Sequence, residues 1–108
     1  MITEEIRAAI DKRISTNDEW AYGVEQCYKE EINILSRNIE DTINFLENEC
    51  TADEFSWLSE VFDDVAQKTQ SRKFVSCLNK IANKFSEECK KYRIDRAIQY
   101  AEEALIEE

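Results

Sequence analysis

Apolar residues recur at three- and four-residue steps along nearly the whole chain, the spacing that lines one face of an α-helix, and polar clusters punctuate them. Ile6, Ala9, Ile10 and Ile14 share one stripe, and Glu4 and Glu5 complement the dipole of a first helix that starts after Thr3 and ends near Ser15. The cluster Ser15-Thr-Asn-Asp18 offers Asn17 or Asp18 as the N-cap of a longer element carrying Trp20, Val24, Cys27, Tyr28, Ile32 and Leu35. Gly23 weakens that element slightly. Ser36, Arg37 and Asn38 could interrupt it. No Pro or Gly forces a break, however, and the pattern predicts a continuous or gently kinked helix through Ile39, Ile43 and Leu46 to about Asn48.

The clearest boundary is Thr51-Ala-Asp-Glu54. There the Thr hydroxyl can accept from the Glu54 amide while the Glu54 carboxylate reaches back to the amide of Thr51. The helix it starts has the seam Phe55, Leu58, Phe62 and Val65 and ends at the polar run QKTQS. Ser71 is the predicted cap of the next helix, with Phe74, Val75, Leu78, Ile81, Ala82 and Phe85 inward. Ser86 with Glu87 and Glu88 predicts a short capped turn carrying Cys89 and Tyr92, and Asp95 opens a last helix facing Ile98, Ala101, Ala104 and Leu105 inward. Short loops make successive helices antiparallel neighbours. The expected architecture is all-α, an irregular antiparallel bundle of about five to six helices in a single domain over residues 1–108, with no repeated signature that would mark a solenoid.

Composition supports that reading. The 108 residues include no Pro and one Gly, so hairpins and bulges lack their usual residues, and 43% hydrophobic content closes one core without staples. Four cysteines, Cys27, Cys50, Cys77 and Cys89, have no CxxC spacing and no His to complete a zinc site, and each falls near a helix's apolar face or end. Buried reduced thiols are expected, not metal ligands or redox switches. The N-terminus lacks the basic region and apolar run of a signal peptide, and no apolar stretch would span a bilayer, which predicts a cytoplasmic protein away from membranes.

The chain carries 24 acidic and 14 basic side chains, net −10. Acids dominate residues 36–66, nine against one base, whereas residues 67–96 hold nine bases against three acids, and residues 97–108 hold four acids and no base. Such a field repels nucleic acid and attracts basic proteins, although solubility alone would also account for it. The basic segment from Lys68 to Arg96 is expected to be a solvated face paired internally with the acidic helix.

Catalytic signatures are missing. Without His there is no hydrolytic triad or zincin motif, and one Gly cannot build a phosphate cradle. The adjacent acids Glu30/Glu31, Asp63/Asp64, Glu87/Glu88 and Glu102/Glu103 point about 100° apart on a helix and are expected to be solvated surface. The expectation is a protein that is not an enzyme and uses no cofactor.

The segment ADEFSWLSEVFDD is the most informative. With Phe55, Leu58, Phe62 and Val65 inward, Asp53, Trp57, Glu60, Val61 and Asp64 fall on a neighbouring strip of the same helix. An indole among acids is either a core residue at the rim or an interface anchor for a basic partner. Asp53, Trp57, Glu60, Asp63 and Asp64 are therefore the candidate partner-binding residues. Trp20 beside Tyr22 is a weaker version of the pattern, with core packing favoured.

ECTADEFSWLSEVFDDVAQKTQS, with INILSRNIEDTINFL before it and KFSEECKKYRI after it, resembles a family of small helical bacterial proteins associated with polymorphic toxins, including immunity proteins of contact-dependent growth inhibition systems. The resemblance covers roughly residues 32–95. It implies a non-enzymatic protein that binds and neutralises a cognate toxin domain, often a nuclease acting on tRNA or other RNA, as a monomer or a one-to-one heterodimer. It supplies no residue-level interface. Two rivals from other classes are a helical adaptor or regulatory subunit without a toxin partner, and a homo-oligomer using the helix around Ile32 to Leu46 as its seam.

Overall fold

In a computed structural model, which describes residues 2–106, the chain is all-α; Met1 and the last two acids of the C-terminal tail, Glu107 and Glu108, lie outside the described residues. The helices are α1 (Ile2–Ser15), α2 (Ala21–Arg37), α3 (Ile39–Asn48), α4 (Ala52–Leu58), α5 (Phe62–Thr69), α6 (Arg72–Lys84), α7 (Ser86–Lys91) and α8 (Ile94–Glu103), with a 3₁₀ turn at Ser59–Val61 joining α4 to α5. The pieces outnumber the expected helices mainly because that turn and Asn38 each divide one predicted helix in two. No helix among the described residues is long and apolar enough to cross a membrane.

α1 packs on α2, α5 on α8 and α3 on α6, with α6 also touching α8. One buried cluster runs through all of them. Its centre is a chain of rings, Phe55 to Phe62 at 5.1 Å and Phe62 to Phe74 at 6.2 Å between centroids, with Phe85 6.0 Å from Phe55. The predicted seam Phe55, Leu58, Phe62 and Val65 is fully buried, and all four cysteines are buried free thiols.

The predicted capping box is present: the Glu54 amide donates to the Thr51 hydroxyl at 3.1 Å and the Thr51 amide to the Glu54 carboxylate at 3.0 Å. Arg7 of α1 also binds Glu54, tying the start of α4 to α1. Ser71 caps α6 as expected, accepting from the Phe74 amide. The smaller boundary expectations shift: Phe85 rather than Ser86 occupies the cap position of α7, and α8 starts at Ile94 after the left-handed Arg93.

Three larger expectations are corrected. The long helix breaks at Asn38, whose backbone is extended; its side chain caps α3 through the Asp41 amide, and the buried Thr42 hydroxyl donates to the Leu35 carbonyl near the end of α2. These local bonds compensate the broken ladder, which makes the break cheap. Neither Asn17 nor Asp18 caps α2. Asn17 accepts from the Glu19 amide, Asp18 is drawn to Arg13, and Trp20 takes the cap position without a side-chain bond. On α1 the buried stripe continues to Arg13, while Ile14 faces solvent.

Candidate functional site

The Thr51 cap aims the first turn of α4 outward at Asp53, and one turn later Trp57 lies half-buried at the rim of the core. The 3₁₀ turn then resets the helical phase, because each residue there advances about 120° instead of about 100°. As a consequence Val61, expected on the outer strip, is fully buried, and Glu60 is left facing α1 and α2.

Arg13 meets Glu60 there. Its side chain is only 6% exposed, with Nε and Nη2 each donating at 3.0 Å to separate Glu60 oxygens and Nη1 donating to Asp18 at 2.9 Å. The guanidinium lies 5.4 Å from the Trp57 ring centroid and 5.6 Å from that of Tyr28, whose hydroxyl donates to Glu60 at 3.1 Å. Burial works against the Arg13 charge, but bonds to Asp18 and Glu60 outweigh it and hold its pKa above the ordinary value. Burial, then the Glu60 charge, raises the Tyr28 phenol, with Arg13 opposing. Glu60 is thus occupied internally and organises the site from beneath.

Beside this network an open cavity of about 310 Å³ is lined by Asp53, Ser56, Trp57, Ser59, Glu60 and Tyr92. A neighbouring cavity of about 540 Å³ shares Asp53 and Tyr92 and adds Thr51, Ala52, Glu87, Glu88 and Lys91. They adjoin at Asp53 and Tyr92 as a groove between α4 and α7, with Glu87 and Glu88 along the larger part and Trp57 and Glu60 in the smaller. Of the candidate residues, Asp53, Trp57 and Glu60 come together here. Asp63 and Asp64 stand exposed on the first turn of α5 and line neither cavity.

Glu31 departs from the expectation of solvated acid pairs. Glu30 does reach Lys12 at 3.0 Å, but Glu31 is 1% exposed and neither carboxylate oxygen has a hydrogen-bond partner. It borders a tight void lined by Ile6, Ala9, Ile34, Leu35 and Leu58. Burial, then the Glu60 charge, pushes its pKa up to about 8 against the opposing pull of Arg13. The carboxyl is therefore largely neutral at pH 7.

The basic segment pairs with α3, not with the Trp57 helix as expected: Lys73 lies 3.7 Å from Glu40 and Lys80 3.6 Å from Glu47. Trp20, expected to pack inward, is 59% exposed beside Tyr22, 63% exposed. Among the described residues no group of His, Cys, Asp or Glu is arranged to hold a metal ion.

Sequence patterning had carried traces of the missed residues. Arg13 sits seven positions after Ile6, where the stripe returns, and Glu31 falls four after Cys27 and four before Leu35. Tyr92 left no such trace, since nothing local brings α7 beside α4.

No family model, curated protein or solved structure matches the chain.

Proposed function

We propose that the chain is an immunity protein that binds and neutralises the nuclease domain of a cognate toxin, an RNase or tRNase, as a one-to-one complex in the cytoplasm. The observation that carries this reading is the groove between α4 and α7, where Trp57 and Tyr92 are set among Asp53, Glu60, Glu87 and Glu88. A nuclease grips phosphate with clustered cations, and such a surface is steered toward carboxylates and anchored by aromatic side chains. The net charge of −10 acts in the same direction. Binding requires no catalytic group or cofactor from this chain.

Co-expression with the product of the adjacent gene, followed by purification, is the direct test. A co-purifying toxin domain whose affinity falls tenfold or more with Trp57→Ala, and falls again with Asp53→Lys plus Glu87→Lys in the groove, supports the reading. Affinities unchanged within a few-fold place the interface elsewhere, and failure of any adjacent toxin domain to bind removes it.

One observation favours the helical adaptor instead: Trp20 and Tyr22, with ring centroids 6.0 Å apart, form a second exposed aromatic surface outside the groove. An adaptor uses two surfaces at once. Loss of a co-purifying non-toxin assembly upon Trp20→Ala, with none upon Trp57→Ala, would select that alternative.

A further inference from the structure

We propose that the cavity between Trp57 and Tyr92 receives a single arginine side chain presented by a protein partner. This rests on the acidic-groove reading above and narrows it to one contact. The cavity's two rings come from different parts of the fold, Trp57 from α4 and Tyr92 from the residue after α7. Each ring already carries one of the chain's own cations, Arg13 at 5.4 Å from Trp57 and the Lys91 ammonium at 5.3 Å from Tyr92. Neither Arg13 nor Lys91 lines the shared cavity. Both rings thus line a space that neither Arg13 nor Lys91 occupies.

The polar lining suits a guanidinium. Asp53 is exposed at the mouth, and no cation among the described residues pairs with it. The Ser59 hydroxyl donates its proton to the Ser56 carbonyl at 2.5 Å, so its oxygen offers lone pairs to an incoming N–H. Glu60, compensated by Arg13 and bound by Tyr28, forms the fixed back of the cavity and leaves Asp53 as its uncompensated carboxylate. A planar, weakly hydrated guanidinium enters an aromatic slot at lower desolvation cost than an ammonium and donates to carboxylate and hydroxyl together. The volume of about 310 Å³ falls at the small end of ligand-binding clefts, suited to one side chain. Acids outnumber bases around it, with Glu87 and Glu88 next door offsetting Lys91.

The experiment uses Trp20→Phe protein, which leaves Trp57 as the only indole of the two in the chain. A blocked Gly-Arg-Gly peptide is titrated at low ionic strength while the Trp57 indole N–H resonance and fluorescence are followed. The expected result is a saturable shift, weakened at least five-fold by Tyr92→Ala or Asp53→Asn and unchanged by Asp63→Asn, which lies outside the cavity. The Lys peptide should bind several-fold more weakly, and the uncharged citrulline peptide should give no saturable shift. The proposal is overturned by equal binding of the Lys or citrulline peptide, by equal weakening with Asp63→Asn, or by no saturable response from protein with intact helical circular dichroism. A toxin complex indifferent to Tyr92→Ala and Asp53→Asn would remove the arginine contact alone. Peptide binding without any adjacent-gene partner would remove the immunity reading alone.

Discussion

Arg13 and Glu60, 47 positions apart in sequence, meet in a two-point contact with both nitrogens 3.0 Å from separate carboxylate oxygens. The pair joins the end of α1 to the 3₁₀ turn and fixes what Trp57 can do, because the same guanidinium underlies the indole. A planar fork held at two points has one orientation, so the rim of the groove is set by a contact beneath it.

Arg13→Met should cost about 3 kcal/mol of stability, the low end for breaking a buried ion pair, because Glu60 keeps contact with water. Glu60→Gln should cost at least as much, since it leaves the 6% exposed Arg13 side chain with Asp18 as its remaining carboxylate partner. A double-mutant cycle from urea unfolding should give a coupling above about 1 kcal/mol. Additive costs would mean that the contact contributes packing alone.

Glu31 gives stability a pH dependence of definite sign. Its folded pKa of about 8 stands above the ordinary 4.5, so between those values the folded state holds a proton that the unfolded state has released. Stability should fall as pH rises through that window, by about 1.4 kcal/mol per pH unit from this group, and level off above it. Subtracting the profile of Glu31→Gln removes the other titrations. Glu31→Leu should be more stable than wild type by a margin that grows from pH 5 to pH 8; a difference independent of pH would show that the carboxyl is ionised throughout.

Gly23 lies under Trp20, where an added Cβ would come within 2.2 Å of the ring. Gly23→Ala must therefore lift the exposed indole off α2. In a Trp57→Phe background, Trp20 emission should shift to the red and its anisotropy should drop. Stability should change little, because the helix gain of about 1 kcal/mol from Ala offsets the lost ring contact. In Trp20→Ala protein the same change should give that gain outright. An unshifted spectrum would mean that the ring does not rest on Gly23 in solution.

Burial pushes the Cys50 thiol up to about 12 and the Cys77 thiol up to about 11. Thiolate is the reactive form, so neither should react with a disulfide reagent at pH 8 until the core opens. All four thiols should appear together with unfolding in urea, and prompt labelling of any one of them in native protein would contradict its burial.

The elements were legible where their cause is local. Helical periodicity, the Thr51 capping box, the Ser71 cap and the seam from Phe55 to Val65 each depend on residues within a turn or two, and all are present. The Asn38 break was also written locally, in an Asn followed by Glu40 and Asp41. Absence of Pro and Gly argues only weakly for continuity, because a side-chain cap can end a helix as readily. The candidate site was half legible. Asp53 and Trp57 lie on one side of α4 as the spacing predicts, whereas the 3₁₀ turn shifts the phase that a uniform helix assumes, burying Val61 and turning Glu60 toward Arg13.

By itself, then, the sequence determined an all-helical chain with a strongly acidic surface and an indole among carboxylates, since composition and spacing act through short-range physics. Only the tertiary structure decided that Arg13 and Glu60 share a site, that Glu31 is sealed away from water, and that Tyr92 stands across a cavity from Trp57. Those pairings depend on how bends at Asn38, Gln70 and Arg93 bring separate helices together, a long-range packing outcome that no window of neighbouring residues contains.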